Sequence, residues 1–181
     1  MNETFDCIIK GGEVYHESKI EKIDIGIKDG KIKKILKNLS ASTAKNTIDA
    51  DGKIILPGVI DIHFHIRAPA FPERCTVLSE TKAAAKGGTT TLFEMPISDP
   101  CASTPEIIRN RKKHFLKETK VNFGLIAALG ELNNNNLNGL LEEGVVALKI
   151  FTIAPPPNRD SEFNGLCFIN EGEIFEALKH A

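Results

Sequence analysis

The sequence predicts an α/β fold in two parts. A small β module occupies residues 1–56, and residues 57–181 hold four strand–helix units, the first half of a (β/α)8 barrel. Three observations lead there. In residues 20–36, isoleucines alternate with polar residues on both sides of Asp29-Gly30, a two-residue turn pair. From Leu56 onward, short β-branched or apolar runs alternate with segments of helical period. Between the two parts lies IILPGVIDIHFHIRAP, residues 54–69, around which the rest is organised.

In the module, Ile23, Ile25 and Ile27 form one arm of the hairpin and Ile32 and Ile35 the other. Residues 5–10 and 47–56 read as further short strands, punctuated by Gly11-Gly12 and Asp51-Gly52, with a polar loop over residues 37–45. Residues 54–67 read as the first barrel strand, buried on both faces. A period of two puts Asp61, His63 and His65 on one side and Ile60, Ile62 and Phe64 on the other. Pro69 cannot continue a central strand, so the strand ends near Arg67 and leaves a cation at its mouth.

The units then follow in order. Val77, Leu78, Thr81, Ala84 and Ala85 make a helix stopped by Gly87-Gly88, and TTTLFEM, residues 89–95, is the second strand. Ser103-Thr104-Pro105-Glu106 opens a second helix carrying Ile107, Ile108, Arg111 and Phe115. Residues 121–129 are the third strand. The asparagine run over residues 133–136 is a loop or an irregular helix start, and Leu137, Leu140 and Leu141 form a short helix ended by Gly144. Residues 145–151 are the fourth strand. A long loop follows, and Asn170 with Glu173 caps a last helix, Glu171–His180.

Net charge is −1, from 23 basic and 24 acidic residues without a basic run, which excludes nucleic acid as a partner. No apolar run approaches the ~20 residues of a membrane span. Four scattered cysteines without paired spacing, and an N-terminus lacking an apolar signal core, lead to the expectation of a reducing cytoplasm. A small-molecule or protein partner remains.

Two imidazoles and a carboxylate on one strand face are costly to bury unpartnered. Either His63 and His65 are hydrogen-bonded core or loop histidines, or they share a divalent metal. Arg67 is either a rim arginine in an ion pair or a fork for a planar carboxylate. Lys149, alone in an apolar strand, either reaches the strand mouth to meet a carboxylate or is a neutral amine that has taken up carbon dioxide as a carbamate.

DIHFHIRAP, KAAAKGGTTTLFEMP and ALKIF, in this order and spacing, resemble the cyclic amidohydrolases: dihydroorotase, allantoinase and hydantoinase. The resemblance covers nearly the whole chain and is to the N-terminal portion of that family. It implies a metal-dependent TIM (β/α)8 barrel, with residues 1–56 as a small β-sandwich-like module, part of a composite β-sandwich. His63 and His65 match the first-strand metal ligands, Lys149 the carbamate-bearing lysine bridging a Zn2+ pair, and Arg67 the dihydroorotase arginine that holds a substrate carboxylate. The implied activity is hydrolysis of a cyclic amide or ureide.

Arg67, which allantoinases lack, tilts the implied activity toward a carboxylate-bearing ring and hence a dihydroorotase-like one. Allantoinase and hydantoinase stay as alternatives, and two features bear on the choice. Ile97 stands where dihydroorotases carry asparagine and where allantoinases carry an apolar residue. Hydantoinases have a tyrosine after the bridging lysine, and KIFTIAP has none. The resemblance places two later histidine ligands and the proton-shuttle aspartate beyond Ala181, so no catalytic residue is assigned within the chain. His16, His114 and His180 fall in the β module or on helices and do not replace them. A non-catalytic amidohydrolase-like fragment is the alternative from another class. Open strand edges lead to the expectation of a homo-oligomer.

Overall fold

The structure, a computed structural model, describes residues 4–39 and 42–180. The chain divides into two compact units, Met1–Pro57 and Gly58–Ala181.

The first unit is one mixed sheet. β1 (Thr4–His16) pairs antiparallel with β2 (Lys19–Lys28), which pairs with β3 (Lys31–Leu36); β4 (Thr43–Asp49) and the short β5 (Ile54–Ile55) lie parallel to β1. Asp29 and Gly30 turn the β2–β3 hairpin with φ of 53° and 67°, the left-handed pair that matches strand twist. Gly11-Gly12 does not end a strand, as the sequence suggests. Gly11 takes φ 73° inside β1, where the register slips between Ile9 and Gly12. The buried Asp24 holds this bulge, accepting the Gly11 N–H at 3.0 Å and the Leu39 N–H at 2.9 Å.

The predicted strand over residues 47–56 is instead the end of β4 and the separate β5, interrupted by the turn at Asp51-Gly52. Thr43 to Lys45, expected in a loop, already belong to β4; residues 40 and 41 of that loop lie outside the described residues. Val14, Ile23 and Ile25 form one core cluster, and Phe5, Ile8 and Leu39 another. Among the described residues the module is a single five-stranded sheet.

The second unit alternates as expected: β6 (Val59–Phe64), α1 (Val77–Lys86), β7 (Thr89–Glu94), α2 (Pro105–Glu118), β8 (Asn122–Ala128), α3 (Asn134–Glu142), β9 (Ala147–Lys149), then α4 (Asp160–Phe163) and α5 (Glu171–His180). Its four strands are parallel and lie side by side in chain order. An order without reversal is that of a half-barrel sheet rather than a doubly wound one. The helices start where side chains can cap them. Thr76 forms a reciprocal box with Ser79, Thr104 accepts from the Ile107 N–H, Asn133 from that of Asn136, and Asn170 from that of Glu173 at 2.8 Å. The asparagine run is therefore a helix start. No helix among the described residues is long and apolar enough to cross a membrane.

Two predicted strands are shorter than expected. Residues 54–67 are not one strand: Ile54 and Ile55 belong to the first sheet, Pro57-Gly58 interrupts, and the ladder stops at Phe64. Nor is β6 buried on both faces. Ile60 and Ile62 are 60% and 65% exposed, and of the apolar ridge only Phe64 packs into the cluster of Ile66, Val77, Leu92 and Phe115. A flanking strand pairs the backbone and does not cover a face, and neither Ile60 nor Ile62 has a core cluster packed over it among the described residues. The fourth strand keeps three residues, and Phe151 instead bridges to Cys167 as the following loop turns back. That loop contains α4, which has no helical period to announce it.

Candidate active site

The predicted site residues gather near the C-terminal ends of β6, β7 and β9, the edge at which parallel α/β sheets build their sites. His63 is the penultimate residue of β6 and His65 follows the strand. Their rings stand 5.3 Å apart between centroids, tilted by 55°. Asp61 does not face the rings as a free carboxylate; its Oδ1 accepts the His63 backbone N–H at 3.0 Å. The pKa of His65 is drawn down from 6.5 to about 4, by burial first and then by the positive charges of His63, Arg67, Lys149 and Arg111. At neutral pH its imidazole therefore carries an available lone pair.

Lys149 is the last residue of β9. Its Nζ lies 3.3 Å from Met95 Sδ and 4.8 Å from the Phe151 ring centroid. Met95 directly follows β7, so the lysine reaches across the end of β8 toward the histidines. No carboxylate lies within ion-pair distance of it among the described residues. Burial lowers its pKa, so the amine is more easily neutral than a surface lysine. The expected carboxylate partner at the strand mouth is absent there.

Arg67 is not on the strand, and it does not share the strand face of the histidines. It sits in a turn at φ 63°, and its guanidinium meets Glu162 on α4 at 3.4 Å. Arg159 holds the same carboxylate through two closer contacts of 2.7 and 2.6 Å, which pull the Glu162 pKa down. The rim ion pair is thus the arrangement observed.

Sequence reasoning missed what holds this region. Glu94, the last residue of β7, is wholly buried and paired with the equally buried Arg111 of α2 at 2.8 Å. The signal was present: an acid inside an apolar strand, and an arginine at a core-facing position of the helix that follows. A separate cleft of about 450 Å³, lined by Thr89, Thr90, Lys120 and Asn122, lies at the opposite ends of β7 and β8 and gathers no catalytic constellation.

Among the described residues there is no group of three or more His, Cys, Asp or Glu able to hold a metal ion. The donors present nevertheless fit one divalent cation in part. Two adjacent imidazoles, that of His65 held neutral, share the C-terminal edge of the sheet with a lysine of lowered pKa that has no carboxylate partner among the described residues.

A family model described as dihydro-orotase-like matches residues 52–144, just over half of the chain. The chain belongs to the dihydro-orotase-like family. A dihydroorotase of Ligilactobacillus salivarius is 44% identical over 103 residues, covering 56% of this chain and 24% of that protein. An allantoinase of Salmonella paratyphi B is 38% identical over 149 residues, covering 82% and 32%. The L-hydantoinase (dihydropyrimidinase) of Arthrobacter aurescens superimposes with a TM-score of 0.84 at 32% identity, over 96% of this chain and 37% of that one. The resemblance to the N-terminal region of cyclic amidohydrolases is borne out by relatives of all three names. The chain spans about a third or less of the length of the curated relatives it matches.

Proposed function

We propose that this chain is the N-terminal part of a metal-dependent hydrolase that opens the amide bond of a cyclic ureide or amide, in the manner of a dihydroorotase. The observation that carries the reading is the His63–His65 pair at the mouth of the first strand of a dihydro-orotase-like chain, with His65 held neutral. His63, His65 and Lys149 would hold zinc, Lys149 after its amine nitrogen adds to the carbon of carbon dioxide and loses a proton to water. A zinc ion so held supplies Lewis acidity toward a ring carbonyl and lowers the pKa of water. The polypeptide would fix the two imidazoles, keep that of His65 uncharged, and offer the Arg67 guanidinium to the ring. The same reading makes residues 1–56 part of a composite β-sandwich and residues 57–181 the first half of a TIM barrel, acting on a small cyclic amide as a homo-oligomer.

A second reading is favoured by one contact. The Arg67 guanidinium is already engaged by Glu162, and Ile97 is buried beside this loop region, which suits an uncharged ring of the allantoinase or hydantoinase type. Both are tested on the purified 181-residue chain. Elemental analysis after dialysis in metal-free buffer should find zinc retained by the native chain and lost from His63→Ala and Lys149→Ala. Absence of zinc from the native chain refutes the metal site. Displacement of a fluorescent zinc probe by dihydroorotate, but not by hydantoin, selects the carboxylate-bearing ring; the reverse selects the neutral one.

A further inference from the structure

Both oxygens of the Glu94 carboxylate are engaged. Oε2 accepts the Ile66 N–H at 2.8 Å, and Oε1 accepts the Arg67 N–H at 2.7 Å together with an Arg111 N–H at 2.8 Å. A buried ion pair loses several kcal/mol per ion in desolvation, and apolar side chains of similar volume often fill such a place with equal or greater stability. What they cannot do is accept two consecutive backbone N–H groups. Those groups belong to the residues directly after His65, where the chain has left the β6 ladder.

The segment needs such a clamp. Arg67 takes φ 63°, a conformation that a non-glycine residue keeps only when its surroundings impose it. Arg111 fastens the other end of the turn through the Ala68 carbonyl at 3.3 Å, and the end of β7 through the carbonyls of Met95 and Pro96 at 3.4 and 3.5 Å. The Ser98 hydroxyl donates to the Arg67 carbonyl at 2.6 Å. The sequence thus routes two buried charges to the two residues that follow a candidate ligand.

We infer that Glu94, backed by Arg111, is a positioning residue: it fixes the backbone at Ile66 and Arg67, and so sets the His65 imidazole beside that of His63. This rests on the metal-site reading above and deepens it. Supports of metal ligands change affinity by about 10–100-fold when removed.

The test uses the 181-residue chain with Co2+ as the probe. Glu94→Gln keeps the shape and replaces one acceptor oxygen with an NH2 group. Glu94→Gln/Arg111→Met also removes the opposing charge, so a folded variant is available if the single one unfolds. Folding is read by circular dichroism, the clamp by amide exchange and imidazole NMR shifts, and Co2+ affinity by calorimetry. The expected result is a folded variant in which the Ile66 and Arg67 amides exchange about 10-fold faster or more. The β8 amides should keep their protection, the His65 ring signals should move, and Co2+ affinity should fall by about 10–100-fold. Arg109→Gln, on the same helix α2 as Arg111, removes a pair with Glu143 at the end of α3 and should change none of these.

Unchanged exchange at Ile66 and Arg67 in a folded variant overturns the inference, as does faster exchange with an unmoved His65 ring. So does unchanged Co2+ affinity where the native chain binds Co2+. If the native chain binds no Co2+, the metal reading fails by itself, and the exchange and ring signals decide the positioning role.

Discussion

At the scale of single residues, the molecule places two charges where neither pays for itself in stability. Burial raises the Glu94 pKa and lowers that of Arg111, so desolvation outweighs attraction for both partners. Removing one partner is the damaging change. Arg111→Met alone should cost about 3–5 kcal/mol in urea unfolding, because it strands a buried carboxylate, and Glu94→Gln/Arg111→Met should cost clearly less. Equal costs would mean that packing, not charge, is what Arg111 contributes.

Glu162 behaves in the opposite way. Its pKa lies below the ordinary 4.5, held down first by the Arg159 fork. A carboxyl lowered in the folded state contributes stability that is present above pH 4.5 and is lost as pH falls through the folded value. The difference in thermal midpoint between native chain and Glu162→Gln should therefore be constant from neutral pH down to about 5 and shrink below 4. A difference that grows on acidification would reverse the assignment. Of the candidate site, the placement of His63 and His65 at the end of β6 and of Lys149 at the end of β9 was legible, since strand period and length carry it, whereas their role as ligands comes from the resemblance alone. Glu94 in an apolar strand and Arg111 on a core-facing helix position hint at a buried pair, but the clamp itself was not legible, because an N–H donating to a carboxylate 28 positions away leaves no local pattern.

Among the elements, both hairpins of the first unit use left-handed pairs, but only one announces it. Asp29-Gly30 is turn chemistry, and the hairpin was legible. Glu17 and Ser18 adopt φ of 48° and 63° between β1 and β2 with side chains that disfavour it. Gly11-Gly12 accordingly suggests a strand end after residue 10, whereas it is a bulge and the real turn lies at Glu17-Ser18. Replacing this pair by Asn-Gly should raise stability by roughly 1 kcal/mol, seen as a higher urea midpoint with unchanged slope. No gain would mean that Glu17 or Ser18 makes compensating contacts in the folded state. The helices were legible because caps and period agree, as at Thr76 with Val77 and Thr81. The strand ends were not. Where β6 and β9 stop is decided by Glu94 and by the Phe151–Cys167 bridge, both tertiary.

For the molecule as a whole, the second unit exposes what a half-barrel sheet cannot cover by itself. Ile60 and Ile62 on β6, and Phe175 and Leu178 on α5, are each at least 60% exposed. β6 is also the first strand of the parallel sheet, with an edge unpaired among the described residues. Large exposed apolar side chains beside an open edge favour association through whatever apolar surface is available. In sedimentation velocity the 181-residue chain should therefore show an apparent mass that rises with concentration. Ile60→Thr/Ile62→Thr should weaken the rise without loss of circular dichroism, because neither side chain belongs to a core cluster of the unit. A chain that stays monomeric up to about 100 µM would mean that these side chains are protected in solution, since open apolar patches of this kind associate. The β6 edge would then have to be covered by the chain itself.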